Sequence, residues 1–254
     1  MIHPDLHTQP VALDRQQHRL LRFKREGEDN ARFAKLNSMF VVAGEFSEAC
    51  KEYPLVWIDA GQDAQGVRQV APIAVFALTK GENLCIDHNA WRTAYLPVVL
   101  RMYPFALARS GDVQYAVCHD ANTTRLSVTE GEPLFDAEGQ PSAFTLDVQR
   151  QLEQVEMEVE RTRQIGLELL RLDLLREMRF EAKLPGGASV SVEGFLTVDE
   201  KRFADLPDAE LVKAHKSGLL GLLHAHRLSL SNMARLAQWH VQRHGGTPAA
   251  EGAA

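Results

Sequence analysis

One uninterrupted amphipathic segment most constrains what this chain can fold into. Between Pro141 and Leu175 there is no internal proline and no run of β-branched residues. Apolar or small side chains recur there in steps of four and three, at Val148, Leu152, Val155, Val159, Thr162, Gly166 and Leu169. The spacing predicts one long helix of about 45–50 Å. Charged residues fill its other faces and indicate a solvated surface.

The first half of the chain contains a similar arrangement twice. An amphipathic segment runs into Tyr53-Pro54 and another runs into Tyr103-Pro104, and an apolar stretch follows each pair. Proline disfavours helical backbone in the preceding residue, so each pair predicts a helix-to-strand junction with a hairpin after it. The helices predicted before the two junctions cover residues 44–53 and 95–102. The recurrence is either an ancient duplication or a common junction that occurs twice.

The last third of the chain carries a hairpin pattern followed by helical patterns. Residues 178–184 and 189–197 flank Pro185-Gly186-Gly187, which predicts an antiparallel hairpin. A helical turn is predicted at 199–203, a helix from Pro207 onwards, and another helix at 219–240. Because the βαβ alternation of a doubly wound sheet is missing, the pattern favours antiparallel pairing.

The predicted fold class is α+β. An antiparallel β-rich N-terminal lobe with short helices precedes a long helix, a β-hairpin and a C-terminal helical segment. The acidic stretch at 129–140, which contains two glycines and a proline, marks the boundary between two lobes. The predicted segments are a flexible N-terminus at 1–14, the β-rich lobe with both helix-Tyr-Pro-hairpin units at 15–140, the helical lobe with its hairpin at 141–242, and a flexible tail at 243–254.

Composition limits the classes of partner and compartment. The formal net charge of −6 argues against nucleic acid as a partner. The N-terminus lacks the pattern of a secretory signal, and this favours a cytoplasmic protein. Apolar runs fall well short of the roughly 20 residues that a membrane helix needs, so no transmembrane segment is expected. Three widely spaced cysteines do not form a disulfide framework and are typical of a reducing compartment.

A candidate metal constellation lies at the ends of two predicted hairpins. Cys85 and His88 belong to one end, and Cys118 and His119 to the other, with Asp87 and Asp120 beside them. Thiolates and imidazoles could hold zinc if the two hairpins packed side by side. The spacings match no established zinc motif, and buried thiols used for packing explain the cysteines as well. Nucleotide-binding and nucleophile-elbow motifs do not occur, so no cofactor is expected and catalytic residues are unknown.

Two further sets of polar residues have structural explanations. Glu45, Glu48 and Glu52 fall on one side of the first short helix and predict a solvent-exposed face. His224 neighbours the apolar stripe of the last predicted helix, and we expect it to be a hydrogen-bonded core residue. His224 and His226 are two residues apart, so they point away from each other on a helix and cannot share a metal.

Seven short segments, in this order, match the pattern of one known family. They are residues 40–46 (FVVAGEF), 51–54 (KEYP), 81–84 (GENL), 103–105 (YPF), 130–136 (EGEPLFD), 194–200 (GFLTVDE) and 225–230 (AHRLSL). On these segments the chain resembles the SapC-like family of bacterial proteins over roughly residues 15–238. The family name is linked to surface-layer proteins. Relatives tend to be encoded beside outer-membrane receptors, tryptophan-halogenase-like flavoproteins and cupin-like hydroxylases, and the resemblance implies no catalytic residue.

The leading hypothesis is a non-enzymatic protein- or peptide-binding accessory protein of a bacterial surface-layer, outer-membrane uptake or modification system. Aromatic residues near predicted turns are its candidate binding residues, although core packing explains them too: Tyr53, Trp57, Trp91, Tyr95 and Tyr103. One alternative is a metal-dependent enzyme, for example an oxidative one, that uses His88, His119 and nearby Asp or Cys side chains. Another is a self-assembling structural protein, a homo-oligomer in which the helix at 141–175 pairs with a second subunit.

Overall fold

The secondary structure comes from a computed structural model that describes residues 2–25, 30–110, 114–183 and 189–244. The helices are α1 (Asn30–Phe33), α2 (Phe46–Glu52), α3 (Val98–Met102), α4 (Ala143–Arg171), α5 (Glu200–Ala204), α6 (Asp208–Ser217), α7 (Leu219–Ser229) and α8 (Asn232–His244), and a 3₁₀ turn (Ala43–Glu45) precedes α2. The strands are β1 (Pro10–Ala12), β2 (Arg22–Phe23), β3 (Ser38–Phe40), β4 (Leu55–Gln62), β5 (Arg68–Val75), β6 (Ile86–Asp87), β7 (Ala90–Trp91), β8 (Phe105–Ser110), β9 (Gln114–Asp120), β10 (Leu126–Ser127), β11 (Glu132–Pro133), β12 (Leu175–Lys183) and β13 (Ser189–Val198).

Antiparallel sheets form the β part of the fold. The largest sheet has the strand order β12-β13-β4-β5-β3, and a second sheet has the order β1-β9-β8. Two smaller sheets contain β10-β2-β11 and β6-β7. Long and short helices pack beside these antiparallel pairs, so the predicted α+β class is confirmed.

The largest sheet joins strands from both sides of the predicted boundary at residue 140. The hairpin β12–β13 enters it where Leu196 pairs with Trp57 of β4. Both residues belong to a core cluster that also contains Leu169 of α4 and Leu223 of α7. One core therefore includes residues of both predicted lobes, and the division into domains stays a prediction.

The long helix is confirmed as α4. Ser142 caps it, because its Oγ accepts a hydrogen bond from Thr145 N at 3.2 Å. Much of the predicted stripe is buried against the chain itself, namely Val148, Leu152, Thr162, Gly166 and Leu169. The apolar stripe is therefore largely covered by the same chain. A homo-oligomer through residues 141–175 stays a prediction. Within the described ranges, no helix has the length and apolarity needed to cross a membrane.

Two predicted helices differ in extent from the observed ones. Helix α3 begins after Pro97, so Tyr95 lies outside it. The helix predicted at 219–240 is divided into α7 and α8. At the break, Ser231 Oγ donates to Leu228 O at 2.8 Å and so competes for a helical carbonyl. Asn232 Nδ2 donates to Cys50 O at 2.9 Å and ties the start of α8 to α2. The predicted turn at Pro185-Gly186-Gly187 lies outside the described residues.

The two Tyr-Pro junctions lead into different sheets. Tyr53-Pro54 precedes the β4–β5 hairpin of the largest sheet, whereas Tyr103-Pro104, a cis peptide, precedes the β8–β9 hairpin of the second. Both tyrosine side chains are fully buried. Each Tyr-Pro junction leads into a strand as predicted. The ancient duplication stays a prediction.

The buried histidine of α7 is His226, and the expectation for His224 is wrong. His224 is exposed, whereas His226 is 1% exposed and its Nε2 accepts a hydrogen bond from Val198 N at 3.1 Å. Burial lowers the pKa of His226 to about 4. The side chain therefore joins α7 to the end of β13 as a neutral imidazole.

Acidification should destabilise the protein through His226. Below pH 6.5 the unfolded chain binds a proton at this position, and the folded chain does not until about pH 4. The stabilisation that the neutral His226 gives is fully present above pH 6.5 and is lost as the pH falls towards 4. The free energy of unfolding should decrease by about 3 kcal/mol over this range. Urea unfolding across this range should give a flatter profile for His226→Gln than for the wild type. His224→Gln, on the same helix, should keep the wild-type profile, and equal profiles for all three proteins would contradict the account.

Candidate functional site

Three of the five predicted binding aromatics lie in the protein core. Tyr53, Trp57 and Tyr103 are at most 2% exposed. Tyr53 Oη lies 2.6 Å from Thr93 Oγ1, and Tyr103 Oη donates to Asp120 Oδ2 at 2.7 Å. In this conformation their rings pack in the interior, because burial and internal hydrogen bonds satisfy both their apolar and their polar parts.

The other two aromatics are half-buried. The Trp91 ring packs edge-on against Phe76, with ring centroids 5.6 Å apart. Tyr95 Oη donates to Glu45 Oε1 at 2.6 Å, and the guanidinium of Arg101 lies 5.7 Å from the Tyr95 ring centroid. Tyr95 thus contacts Glu45 and Arg101, which both line the surface cleft described below. A binding role for the five aromatics stays a prediction.

The four residues of the predicted metal constellation are not assembled into one cluster. Cys85 is buried in the main core, and burial raises the pKa of its thiol to about 12. His88 is exposed, and Cys118 and His119 lie on β9 in the second sheet. Among the described residues, no three of the four bring their ligand atoms within 4.8 Å of one another. The expected side-by-side packing fails because the two hairpins belong to different sheets. A metal role for these four stays a prediction.

An open cleft runs between α3 and α4. This α3–α4 cleft consists of two adjoining hollows of about 400 Å³ and 330 Å³, and both are lined by Arg101, Met102 and Gln151. The first hollow also has Val155 and Glu158 on its α4 side. The cleft separates a helix of the predicted β-rich lobe from the long helix of the predicted helical lobe. Hollows of this size accept small ligands or side chains of a peptide.

The α4 wall of the cleft follows from helical spacing. Gln151, Gln154, Val155 and Glu158 stand at i, i+3, i+4 and i+7, so they share one face of the helix. Sequence reasoning assigned the charged positions of this helix to a solvated surface. The cleft wall was not predicted, because no local sequence pattern indicates that α3, more than forty residues earlier, packs opposite this face of α4.

A buried carboxylate holds the opposite wall in place. Glu45 is 6% exposed and accepts hydrogen bonds from Val98 N and Tyr95 Oη at 2.6 Å each, and from Val42 N at 3.0 Å. Burial and the Glu45 carboxylate raise the pKa of the Tyr95 hydroxyl, which therefore stays a hydrogen-bond donor at neutral pH. The start of α3 is thereby fixed to the 3₁₀ turn.

The predicted solvent-exposed acidic face is observed for Glu48, whereas Glu52 is half-buried and Glu45 is buried. Glu48 is exposed and pairs with Lys51 at 2.6 Å. Glu45 ends the 3₁₀ turn, and its carboxylate is directed at backbone donors, where burial is compensated by hydrogen bonds. The helical spacing of the acidic residues alone did not indicate this turn.

Two charged groups border the first hollow. Within the described part of the chain, Arg101 has no carboxylate at salt-bridge distance, although it contacts the ring and hydroxyl of Tyr95. Glu158 Oε1 pairs with Arg161 at 3.4 Å, and its Oε2 has no hydrogen-bond partner there. A Cβ at position 44 would lie 3.0 Å from Glu158 Oε2, so Gly44 leaves the room that this carboxylate occupies. The hollow thus offers a cation and a carboxylate above the apolar side chains of Met102 and Val155.

Arginines also border the second hollow, but internal contacts hold them. Arg25 pairs with Glu132 at 2.5 Å. Arg125 donates to Tyr103 O at 3.2 Å, and its guanidinium lies 4.4 Å from the Phe23 ring centroid. Arg25 is exposed and pairs with a carboxylate, and Arg125 is held by backbone carbonyl and ring contacts, so Arg101 is the cation of the cleft without a carboxylate partner among the described residues.

A separate hollow of about 300 Å³ lies on one face of the largest sheet. Its floor contains Val56, Ile58, Ile73 and Val75, and Phe195 of β13 forms one side. We call it the sheet groove. Its apolar floor is bordered by polar side chains, namely Asn37, Ser38, Thr79, Lys80, Ser191 and Glu193.

Comparison with known proteins gives one match. A family model described as SapC matches residues 13–236, which is most of the chain. No curated protein and no solved structure matches the chain. The matched range includes both walls of the α3–α4 cleft.

Proposed function

This chain belongs to the SapC family, and from that premise and the α3–α4 cleft we propose that it is a non-enzymatic accessory protein that binds a protein or peptide partner. The observation that carries the proposal is the cleft itself, which combines apolar side chains with the Arg101 guanidinium and with one carboxylate oxygen, Glu158 Oε2, that has no hydrogen-bond partner among the described residues. The side chains that line it supply hydrogen bonds, charge and apolar contact. They do not place a nucleophile beside a base.

The dimensions of the cleft suit a short extended segment. Along α4 it reaches from Asp147 to Glu158, which is about 16 Å at the helical rise of 1.5 Å per residue. An extended chain covers this distance in about five residues. The two hollows would then receive side chains from the same peptide.

The lining residues indicate what the peptide carries. Met102 and Val155 offer apolar contact, and the flexible thioether of Met102 adapts to side chains of different shape. Gln151 Nε2 donates to Asp147 Oδ2 at 2.6 Å, so its amide oxygen and the Gln154 amide are the groups that can hydrogen-bond to an extended backbone. Arg101 favours a carboxylate. The proposed occupant is therefore a segment with an apolar side chain and an acidic group close together.

The family supports a role with bacterial surface-layer, outer-membrane uptake or modification systems. We place the protein in the cytoplasm in this proposal, where it would bind a component of such a system before that component leaves. Fractionation of the native bacterium tests the location. Recovery of the protein in the periplasm would contradict it.

A cation placed in the first hollow should weaken peptide binding. Peptides are selected from a random library on the full chain and then measured by fluorescence anisotropy. Val155→Arg places a long cation in the first hollow, and we expect it to weaken binding by at least about tenfold, or about 1.4 kcal/mol. Met157→Arg is the matched control, because Met157 lies on the same helix and is 66% exposed away from the cleft.

The two variants separate the outcomes. Loss of binding in Val155→Arg with wild-type affinity in Met157→Arg supports the proposal. Equal affinities in both, or a selection that enriches no peptide, contradicts it. Circular dichroism of both variants confirms that they are folded.

A further inference from the structure

Three potential metal ligands meet at the C-terminal end of α8. Glu82 comes from the loop after β5, and His240 and His244 come from α8. Among the described residues, this is the group whose ligand atoms all lie within 4.8 Å of one another. None of the three belongs to the α3–α4 cleft or to the constellation predicted from sequence.

Helical spacing brings the two imidazoles together. His240 and His244 are four residues apart on one face of α8, and their ring centroids are 4.4 Å apart. Arg243 holds this end of the helix against the loop, since it donates to Asn83 O at 2.8 Å and to Ile86 O at 2.5 Å. Glu82, next to Asn83 in that loop, is thereby held beside both rings.

The distances are close to those of a tetrahedral site. His240 Nδ1 lies 3.3 Å from Glu82 Oε1, and His244 Nε2 lies 2.8 Å from Glu82 Oε2. Zinc binds imidazole nitrogen and carboxylate oxygen at about 2.0–2.2 Å, so neighbouring ligand atoms of a tetrahedron are about 3.3 Å apart. The first pair already has that separation. The second is about half an ångström shorter. Because the two distances end at different oxygens of the Glu82 carboxylate, the carboxylate would bind the ion through both oxygens or would turn so that one oxygen faces both imidazoles.

Burial and unmet hydrogen bonding point to a ligand. His240 is 8% exposed, and within the described chain its Nδ1 has no hydrogen-bond partner although it faces a carboxylate. Thr79 Oγ1 donates to Glu82 Oε1 and orients this carboxylate, as partners of metal-binding carboxylates commonly do. The side chain of His244 is 49% exposed, which leaves a side open to water.

We propose that Glu82, His240 and His244 form a binding site for a divalent transition metal, zinc being the ion that the ligands fit best. Two imidazoles and one carboxylate are a ligand set that zinc uses with water in the fourth position. The ion would join α8 to the loop after β5, so its binding would stabilise the folded chain.

The competing explanation is a pair of histidine–carboxylate contacts without metal. Burial acts to raise the pKa of Glu82, but hydrogen bonds from Thr79 and His244 and the charges of both histidines outweigh it and hold that pKa low. An ionised Glu82 is compatible with either explanation. Metal titration distinguishes them.

The test uses the full chain with its affinity tag removed and its metal stripped by a chelator. Zinc is titrated in competition with a chromophoric chelator, and cobalt is added separately because a tetrahedral cobalt site has a strong visible spectrum. Glu82→Gln and His244→Gln each remove one ligand. His224→Gln is the control, because it removes an exposed histidine outside the site.

We expect one zinc per chain, an increase in Tm on zinc addition, and a tetrahedral cobalt spectrum for the wild type and for His224→Gln. Glu82→Gln and His244→Gln should bind zinc at least about tenfold more weakly. Zinc binding well below one ion per chain would overturn the proposal. Wild-type affinity in both ligand variants would also overturn it, since the metal would then lie elsewhere.

Discussion

Replacement of Gly166 by alanine should destabilise the protein by about 2 kcal/mol, although alanine favours a helix over glycine by about 1 kcal/mol. A Cβ at this position would lie 2.8 Å from Val70 O and 3.1 Å from Val70 Cγ2. Because one of these atoms belongs to the backbone of β5, the helix and the sheet must move apart. Urea unfolding at neutral pH measures the loss.

The matched control is Gly221→Ala on α7. No atom lies within 4 Å of a Cβ at position 221, so only the helix propensity changes. This variant should be more stable than the wild type by about 0.5–1 kcal/mol. If both substitutions changed stability in the same direction, the close packing of α4 on β5 would not be the reason for the glycine. Since α4 also forms one wall of the cleft, Gly166→Ala should weaken peptide binding as well.

Asp120→Asn should destabilise the protein by about 3 kcal/mol, because it leaves a largely buried arginine without its charged partner. Asp120 is completely buried. Its Oδ2 accepts hydrogen bonds from Tyr103 Oη and Arg32 Nη1 at 2.7 Å each, and its Oδ1 accepts one from Gln9 N at 2.8 Å. One carboxylate thus joins the N-terminal strand, α1 and the second Tyr-Pro junction.

The loss at Asp120 should depend on pH with a defined sign. Burial acts to raise its pKa, but hydrogen bonds from Tyr103, Gln9 and Asn122 and the Arg32 charge outweigh it, so the folded-state pKa lies below 3.8. The stabilisation is present above that value and is lost as the pH falls through the folded-state pKa. The difference between the wild type and Asp120→Asn should therefore shrink below about pH 4.

A surface carboxylate gives the control for Asp120. Asp59 pairs with Arg68 at 2.8 Å, and both side chains are about half exposed. Asp59→Asn should cost much less than Asp120→Asn, because water screens an exposed ion pair. If Asp120→Asn were as mild, the buried network would not be a main source of stability.

The elements predicted correctly from sequence are those with local signals. The stripe from Val148 to Leu169 is a property of one helix, and it survives in the structure because the core lies along the same face. The antiparallel pairing of residues 175–183 with 189–198 likewise follows from two alternating segments that are close in the chain. Neither prediction required knowledge of what packs opposite.

The candidate sites depend on contacts between distant segments. Composition could not decide whether Tyr53 and Tyr103 face solvent, because an aromatic ring before a strand suits a core and a binding surface equally. The α3–α4 cleft joins residues about fifty positions apart, and no local pattern marks it. The four-residue spacing of His240 and His244 was visible in the sequence. Glu82 is about 160 residues away, and only the fold brings it to them.

Occupation of the α3–α4 cleft is tested most directly by methyl NMR of the full chain during titration with a selected peptide. The methyl signals of Val98, Met102 and Val155 should shift and saturate with the affinity found by anisotropy, whereas those of Ile58 and Ile73 in the sheet groove should stay in place. Saturable shifts confined to the sheet groove, or no saturable shifts at all, would contradict binding in the cleft.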